Sequence, residues 1–198
     1  MVPAQWQDGR EARARARDRS LPADPVTVFT IGHSTRSLDE FLDLLRQHGV
    51  ELLVDVRTVP DSRRMPHFAK APLERSLGQH GIGYLHMPEL GGLRKPQPDS
   101  INLGWRNVSF RGYADYMQTE EFWTGVNRLL GLGPTTIMCA EAVPWRCHRS
   151  LIADALTVQG VEVRHITGKS EPARHVLTPF ARVHEGRISY PAPDTLAL

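Results

Sequence analysis

The chain has 198 residues, of which 40% are hydrophobic, and it carries a formal net charge of +2 at pH 7. This length suits one globular domain, and the hydrophobic content argues against a disordered protein. Residues 1–20 hold five arginines and three acids, which leaves 19 basic and 19 acidic residues in the rest of the chain. This equal number of basic and acidic residues argues against the broad basic surface that most nucleic-acid-binding domains have.

The N-terminal sequence and the number of cysteines indicate the cellular compartment of the protein. No apolar run approaches the roughly 20 residues that a membrane helix needs, and the N-terminus has no hydrophobic signal core. The chain has 2 cysteines, which without a secretory signal favours a reduced, cytoplasmic setting with no membrane partner. Residues 1–24, with the run EARARARDRS, have no apolar face, so we predict a flexible Arg-rich arm followed by one domain over residues 25–198.

From residue 26 onward, short apolar runs alternate with segments of helical periodicity. The runs predict five strands, at residues 26–31, 51–56, 83–87, 135–139 and 161–166. Helices are expected between them, at residues 38–48, 72–80, 113–130 in two pieces, and 144–159, and Ser37 with Glu40 has the pattern of a capping box. A short helix near 172–180 and an edge strand near 187–190 complete the chain. This order predicts a single α/β domain, a mainly parallel open sheet with helices on both faces in a Rossmann-like three-layer arrangement.

Polar residues crowd around the end of the fourth predicted strand. Cys139 and Glu141 come at its carboxyl end, and Pro144 suits the first turn of the following helix. That first turn is expected to carry three more polar residues, Cys147, His148 and Arg149. Free backbone N–H groups and the positive end of the helix dipole make such a turn attractive to anions.

The other strands also end in polar residues, with His33 and Ser34 after the first, Arg57 after the second and Glu89 after the third. Because the carboxyl ends of parallel strands meet at one edge of a sheet, we expect a single cleft there. The residues expected to face it are His33, Arg57, Glu89, Glu141 and Arg149. A purely structural network, in which Asp55 and Arg57 pair with Arg149 and Glu141, is the alternative.

The residue types suggest roles in such a cleft. His33 and Glu141 are the candidate general acids or bases, and Cys139 and Cys147 are the candidate nucleophiles. The candidate substrate-binding residues are Ser34, Arg57, Glu89, His148 and Arg149. The spacing of the cysteines and arginines differs from that of the thiol phosphatases, and neither a Walker motif nor a glycine-rich dinucleotide fingerprint is present.

No cofactor and no metal is predicted, because Cys-x7-Cys-His is not the spacing of a known zinc finger. Three alternatives remain for the thiols: buried core residues, a redox disulfide, or zinc ligands together with His148 and His33.

Residues 93–112 show little periodicity, and a segment of this length inside a compact domain suits a mobile lid over the cleft. Arginines and aromatic residues interleave along it, among them Arg94, Arg111, Trp105 and Phe110. Such a mixture stacks bases and holds phosphates, so a nucleic-acid-binding module that uses the arm and this loop is the second hypothesis.

Five motifs, in order, resemble the domain-of-unknown-function family 488. They are TIGHSTRSLDEF, LLVDVRTVP, YLHMPELGG, FRGYADYM and MCAEAVPWRCHRSLIA, and the resemblance covers roughly residues 26–166. The resemblance implies a compact α/β domain and carries no reaction with it. The residues therefore have to supply the functional hypothesis: a small enzyme, a hydrolase or transferase, that binds a phosphorylated or nucleotide-like anion. The oligomeric state stays open.

Overall fold

The computed structural model describes residues 27–61 and 64–192, so the predicted arm at residues 1–24 lies outside the described residues. In the described residues the main sheet has six strands: β1 (Thr27–Gly32), β2 (Leu52–Asp55), β3 (Gly83–His86), β4 (Thr135–Cys139), β5 (Glu162–Ile166) and β6 (Ala173–Arg174). Their spatial order is β3–β2–β4–β1–β5–β6. Strands β1 to β5 run parallel, and β6 is antiparallel to β5. The predicted α/β class is confirmed.

Within the part of the chain that the structure describes, five α-helices surround the sheet: α1 (Leu38–Gln47), α2 (Lys70–Gln79), α3 (Val108–Tyr116), α4 (Glu120–Leu130) and α5 (Arg149–Val158). The predicted capping box opens α1, since the Ser37 hydroxyl accepts from the Glu40 backbone and the Glu40 carboxylate accepts from the Ser37 backbone. The helical stretch expected from residue 113 is indeed two pieces, and Thr119 caps the second. None of the helices in the described ranges is both long and apolar enough to cross a bilayer.

Alternate residues of the central strands bury into two separate cores, one on each face of the sheet. Leu53 and Met138 pack on one side against α1 and α2. Val54 and Ile137 pack on the other side against α3, α4 and α5. Burial on both faces explains why these strands are almost continuously apolar.

Strand β4 lies between β1 and β2, and this arrangement brings the functional candidates together. The register pairs Gly32 with Cys139 and Asp55 with Met138, so the three strands end at nearly the same level. The segments that begin at His33 and Arg57 therefore leave the sheet on either side of Cys139.

The helix predicted from Pro144 begins later than expected. Pro144–Arg146 form a short 3₁₀ turn, Cys147 is extended, and α5 starts only at Arg149. Cys147 and His148 therefore precede the helix instead of lying in its first turn. The backbone N–H of Cys147 bonds back to the Pro144 carbonyl, which returns the chain toward the end of β4.

In the C-terminal part, the predicted helix is wrong and the predicted strand is present. No helix forms over residues 172–180, because β6 pairs with β5 and the His175 N–H donates to the Val163 carbonyl. The strand expected near residue 187 exists as β8 (Arg187–Ser189), but it pairs with β7 (Arg182–His184) in a separate two-stranded sheet. Tertiary pairing overrides the local helical pattern here.

Candidate functional site

A cleft of about 430 Å³ opens at the carboxyl edge of the sheet. It is lined by His33, Arg57, Thr58, Val59, Asp61, Gly92, Leu93, Ser109, Phe110, Cys139, Ala140, Glu141, Arg146, Cys147 and His148. Six of the nine candidate residues from the sequence are among them. This is the position at which open α/β sheets bind their ligands.

Arg57 is fixed in the wall of this cleft by the buried carboxylate of Asp55. Its Nε and Nη2 atoms both donate to Asp55, at 2.9 and 2.6 Å, and Nη2 also donates to the Phe68 carbonyl at 2.8 Å. Its Nη1 atom lies 3.5 Å from Nε2 of His33. A guanidinium has five N–H donors, so one N–H on Nη1 has no acceptor among the described residues.

His33 is buried beside Arg57 and stacks on Phe68, with ring centroids 4.3 Å apart. Its Nδ1 lies 2.9 Å from the Ser34 carbonyl, which only accepts, so Nδ1 carries the hydrogen and Nε2 is the acceptor toward Arg57. Burial lowers the pKa of His33 to about 4, and the positive charge of Arg57 contributes in the same direction. The imidazole is therefore neutral at pH 7.

Cys139, Cys147 and His148 converge on the opposite wall. Both cysteines are buried, unpaired thiols. The Nδ1 atom of His148 lies 3.5 Å from Sγ of Cys147 and 3.9 Å from Sγ of Cys139. A hydrogen bond from the Cys139 thiol to the Cys147 sulfur raises the pKa of Cys139 and lowers that of Cys147. The centre is thus a pair of thiols with an imidazole, all accessible from the cleft.

The orientation of His148 follows from its other ring nitrogen. Nε2 lies 3.0 Å from the Val56 carbonyl, which cannot donate, so Nε2 carries the hydrogen and the lone pair of Nδ1 is directed to the sulfurs. Gly92 lies against the same ring, because a Cβ at position 92 would stand 2.4 Å from Nδ1. Only a residue without a side chain lets the backbone at position 92 lie this close to the His148 ring.

Arg149 does not line the cleft but lies behind it, only 1% exposed. It donates to the Glu141 backbone carbonyl and, at 3.4 Å, to the Thr30 hydroxyl, while its Nε has no partner among the described residues. The alternative network, in which Arg149 pairs with the carboxylate of Glu141 or Asp55, does not form in the described part of the chain, where Asp55 pairs with Arg57. Arg149 instead fixes the backbone of the loop that follows β4, and Gly32 makes room for this contact.

A chain of buried hydrogen bonds continues from Arg149. Thr30 Oγ1 lies 2.8 Å from Nδ1 of His165, whose Nε2 lies 2.9 Å from Nδ1 of His175. Nε2 of His175 is 2.8 Å from the buried carboxylate of Asp154. Since Arg149 only donates and a carboxylate only accepts, every bond in this chain has one consistent direction.

Two further candidates also lie outside the cleft lining. Ser34 adopts a positive φ of 53° in the turn after β1, and Glu89 forms an ion pair with Arg128. The expectation that Glu89 and Arg149 face the cleft with His33 is therefore corrected by the structure. Side-chain direction after a strand depends on the local turn, which strand position alone does not determine.

Several lining residues were not among the sequence candidates. Arg146 is exposed at the cleft and has no ion pair within the described residues, and Ser109 and Phe110 come from the first turn of α3. Arg146 adjoins Cys147 in the sequence, which was a usable signal. Ser109 and Phe110 belong to the segment that was expected to cover the cleft, in which Phe110 was named as one of the aromatic residues, whereas no signal marked Ser109.

The segment predicted as a lid is shorter than expected, because α3 already begins at Val108. Its middle is attached to α3 through Asp115, whose carboxylate accepts from the Gln97 backbone and from the Ser100 and Asn102 side chains. Its aromatic and basic groups contact neighbours within the fold. Trp105 stacks on Phe110 at 4.8 Å, and the Arg94 guanidinium lies 3.5 Å from the centre of the Tyr116 ring.

Comparison with known proteins gives one match. The model of a family described as "Domain of unknown function DUF488" matches residues 37–156, which is more than half of the chain and lies within the residues, roughly 26–166, that the resemblance covers. Searches of the curated proteins and of the solved structures found no match. The chain therefore belongs to the DUF488 domain family.

Proposed function

We propose that this chain is an enzyme, a hydrolase or transferase, that binds a small phosphorylated or nucleotide-like anion in the cleft at the carboxyl edge of the sheet. The observation that carries the proposal is the state of Arg57. Asp55 fixes the guanidinium in one orientation, and one N–H of Nη1 is left without an acceptor in the described part of the wall. A preoriented donor with a positive charge costs little entropy when an anion binds.

Three other groups suit the same ligand. Arg146 adds a second, exposed positive charge, and Ser109 adds a side-chain hydroxyl at the cleft, while the N–H groups of Ser109 and Phe110 already donate to the Asn107 cap. Neutral His33 keeps Nη1 of Arg57 in place without competing for the anion. In this proposal Arg57 and Arg146 hold the anion, Glu141 serves as general acid or base, and Cys139, Cys147 and His148 form the reactive centre facing it.

The second hypothesis, a nucleic-acid-binding module, has less support. Its loop was expected to offer aromatic faces for stacking, but Trp105 is already covered by Phe110, and Arg94 of the same loop lies over the Tyr116 ring of α3. Exposed aromatic faces are the usual platform for unpaired bases. The small cleft therefore favours a small molecule over a polymer.

Calorimetric titration with inorganic phosphate and with a mixture of nucleoside monophosphates tests the proposal. We expect saturable binding that Arg146→Gln weakens about tenfold, the effect of losing one charge-assisted contact of about 1.4 kcal/mol. Arg75→Gln is the matched control, because Arg75 is an exposed arginine on α2 outside the cleft. No binding by the wild type, or equal losses in both variants, would overturn the proposal.

The same titration with a single-stranded oligonucleotide separates the two hypotheses. A polymer held by several phosphate contacts loses affinity steeply as salt rises, with a slope of about −0.7 per contact. We expect weak oligonucleotide binding next to clear binding of the monophosphates. Phosphorus NMR of the nucleotide mixture then follows turnover, which Cys147→Ser is expected to abolish.

A further inference from the structure

The two cysteines and His148 have the arrangement of metal ligands. Their donor atoms, Sγ, Sγ and Nδ1, all lie within 4.8 Å of one another. A tetrahedral zinc ion with bonds of about 2.3 Å to sulfur and about 2.1 Å to nitrogen places sulfur and nitrogen ligands about 3.6 Å apart. The observed separations from Nδ1 are 3.5 and 3.9 Å, so an ion fits between the three atoms with little movement.

The hydrogen bond of the histidine supports the same assignment. A zinc-bound imidazole almost always donates its other N–H to a carbonyl or carboxylate, which orients the ring and fixes the tautomer. Nε2 of His148 makes such a bond to Val56 at 3.0 Å. The lone pair of Nδ1 is therefore directed to the sulfurs without reorganisation of the ring.

The surrounding charges are compatible with an ion at this position. Zinc with two thiolates is neutral, and a bound hydroxide would give the centre one negative charge. The buried guanidinium of Arg149, whose field acts on both thiols, has no carboxylate partner among residues 27–61 and 64–192. A hydroxide-bearing zinc centre would balance that charge.

We propose that Cys139, Cys147 and His148 bind a zinc ion whose fourth coordination position opens into the cleft. Thiolate and imidazole ligands favour zinc over magnesium or calcium. Three protein ligands with one open position are typical of catalytic zinc, whereas structural sites have four. All three proposed ligands line the cleft, so the open position faces the substrate.

The catalytic role of this zinc, unlike its binding, rests on the proposed function. The zinc-bound water would give a proton to the Glu141 carboxylate, and the resulting hydroxide would form a bond to the electrophilic atom of the anionic substrate. The leaving group would depart with the electron pair of the broken bond and take the proton from Glu141. The reaction is then a hydrolysis, and the cysteines act as ligands instead of nucleophiles.

Metal analysis of the full chain, reduced and reconstituted with zinc chloride and then dialysed, tests the binding. We expect a single zinc per chain, and in the cobalt-substituted protein the visible bands of a tetrahedral ion together with a thiolate-to-cobalt charge-transfer band. Cys147→Ser and His148→Gln should lower zinc affinity by more than about 100-fold, beyond the loss seen for outer hydrogen-bond partners. His80→Gln, an exposed imidazole on the other side of the fold, should leave it unchanged.

Cobalt spectra of the wild type keep the test decisive even if a cysteine variant fails to fold. Absence of thiolate-to-cobalt bands in the reduced wild type would overturn the zinc site, as would equal affinity in His148→Gln and His80→Gln. A quantitative thiol assay that finds Cys139 and Cys147 joined in a disulfide after reduction and reconstitution with zinc would do the same. Phosphate titration of the chelator-treated protein reports on the anion site separately, so either proposal can fail alone.

Discussion

Asp55 holds the guanidinium of Arg57 through two nitrogen atoms, and neither side chain is more than 7% exposed. The same carboxylate accepts from the Arg57 backbone and from the Tyr84 hydroxyl. This buried pair, located where β2 ends, is what gives the proposed anion site its rigidity. It costs desolvation, so its stability depends on both partners being present.

Asp55→Asn should therefore destabilise the fold by about 3–5 kcal/mol, because it leaves the buried positive charge of Arg57 without a negatively charged partner. Asp43→Asn is the matched control, since Asp43 pairs with Arg46 on the exposed face of α1 and should cost less than about 1 kcal/mol. Urea denaturation of the two variants and the wild type gives both values. A loss below about 1 kcal/mol for Asp55→Asn would contradict the view of Arg57 as a charge held by this carboxylate.

The buried histidine chain should make stability fall in mild acid. Burial, and next the neighbouring His175, lower the pKa of His165 from 6.5 to about 4. Between pH 6.5 and about pH 4, His165 is protonated in the unfolded chain but stays neutral in the folded chain. The folded state therefore loses stability across this window as the pH falls. The contribution of His165 is on the order of 2 kcal/mol.

Unfolding free energies at pH 7.5 and pH 4.5, measured with a chelator present, check this expectation. His165→Gln should lose less stability between the two pH values than the wild type, whereas His80→Gln should lose as much as the wild type because His80 is exposed. Parallel pH profiles for all three proteins would show that His165 titrates normally.

Gly92 is expected to be intolerant of even a methyl group. A Cβ there would stand 2.4 Å from Nδ1 and 2.7 Å from Cγ of His148, so Gly92→Ala must displace the ring or the backbone, at a cost of about 1–3 kcal/mol. Gly78 on α2 is the matched control, because a Cβ there meets nothing within 4 Å and alanine should stabilise the helix by about 0.5–1 kcal/mol. A lower melting temperature for Gly92→Ala together with a higher one for Gly78→Ala would agree with this view. An unchanged melting temperature for Gly92→Ala would contradict it.

The segment before α3 should exchange its amide hydrogens unevenly. The Gln97 amide donates to Asp115 at 2.8 Å, and the Gly104 amide donates to the Tyr190 carbonyl at 2.9 Å, so these two should exchange slowly. The Lys95 amide has no acceptor among the described residues, so it should exchange faster than the amides of the strands. Asp115→Ala should raise exchange at Gln97 by at least about tenfold, the effect of losing about 1.4 kcal/mol of local stability. Asp99 is an exposed acid of the same loop, so Asp99→Ala is the matched control and should leave exchange at Gln97 unchanged. Uniformly fast exchange in the wild type would show the whole segment to be mobile, as a lid would be.

The sequence by itself determined the order of strands and helices, the capping box of α1 and the concentration of polar residues after β1, β2 and β4. These features are local. A strand buried on both faces needs a continuous apolar run, and an amphipathic helix needs an apolar stripe, so each can be seen within about 5 to 15 residues of sequence. The five motifs added the family, which the match over residues 37–156 confirmed.

Only the tertiary structure decided which polar side chains share the cleft. Arg149 turns inward because the Glu141 carbonyl and Thr30 are there to accept its hydrogen bonds, and Glu89 turns away toward Arg128, 39 residues further on. Ala173–Arg174 become a strand because β5 presents an edge with which they pair. Cys139 and Cys147 meet with His148 through the 3₁₀ turn of Pro144–Arg146, whose bend depends on the packing of α5 against the sheet. Such contacts depend on partners distant in sequence, so no local pattern determines them.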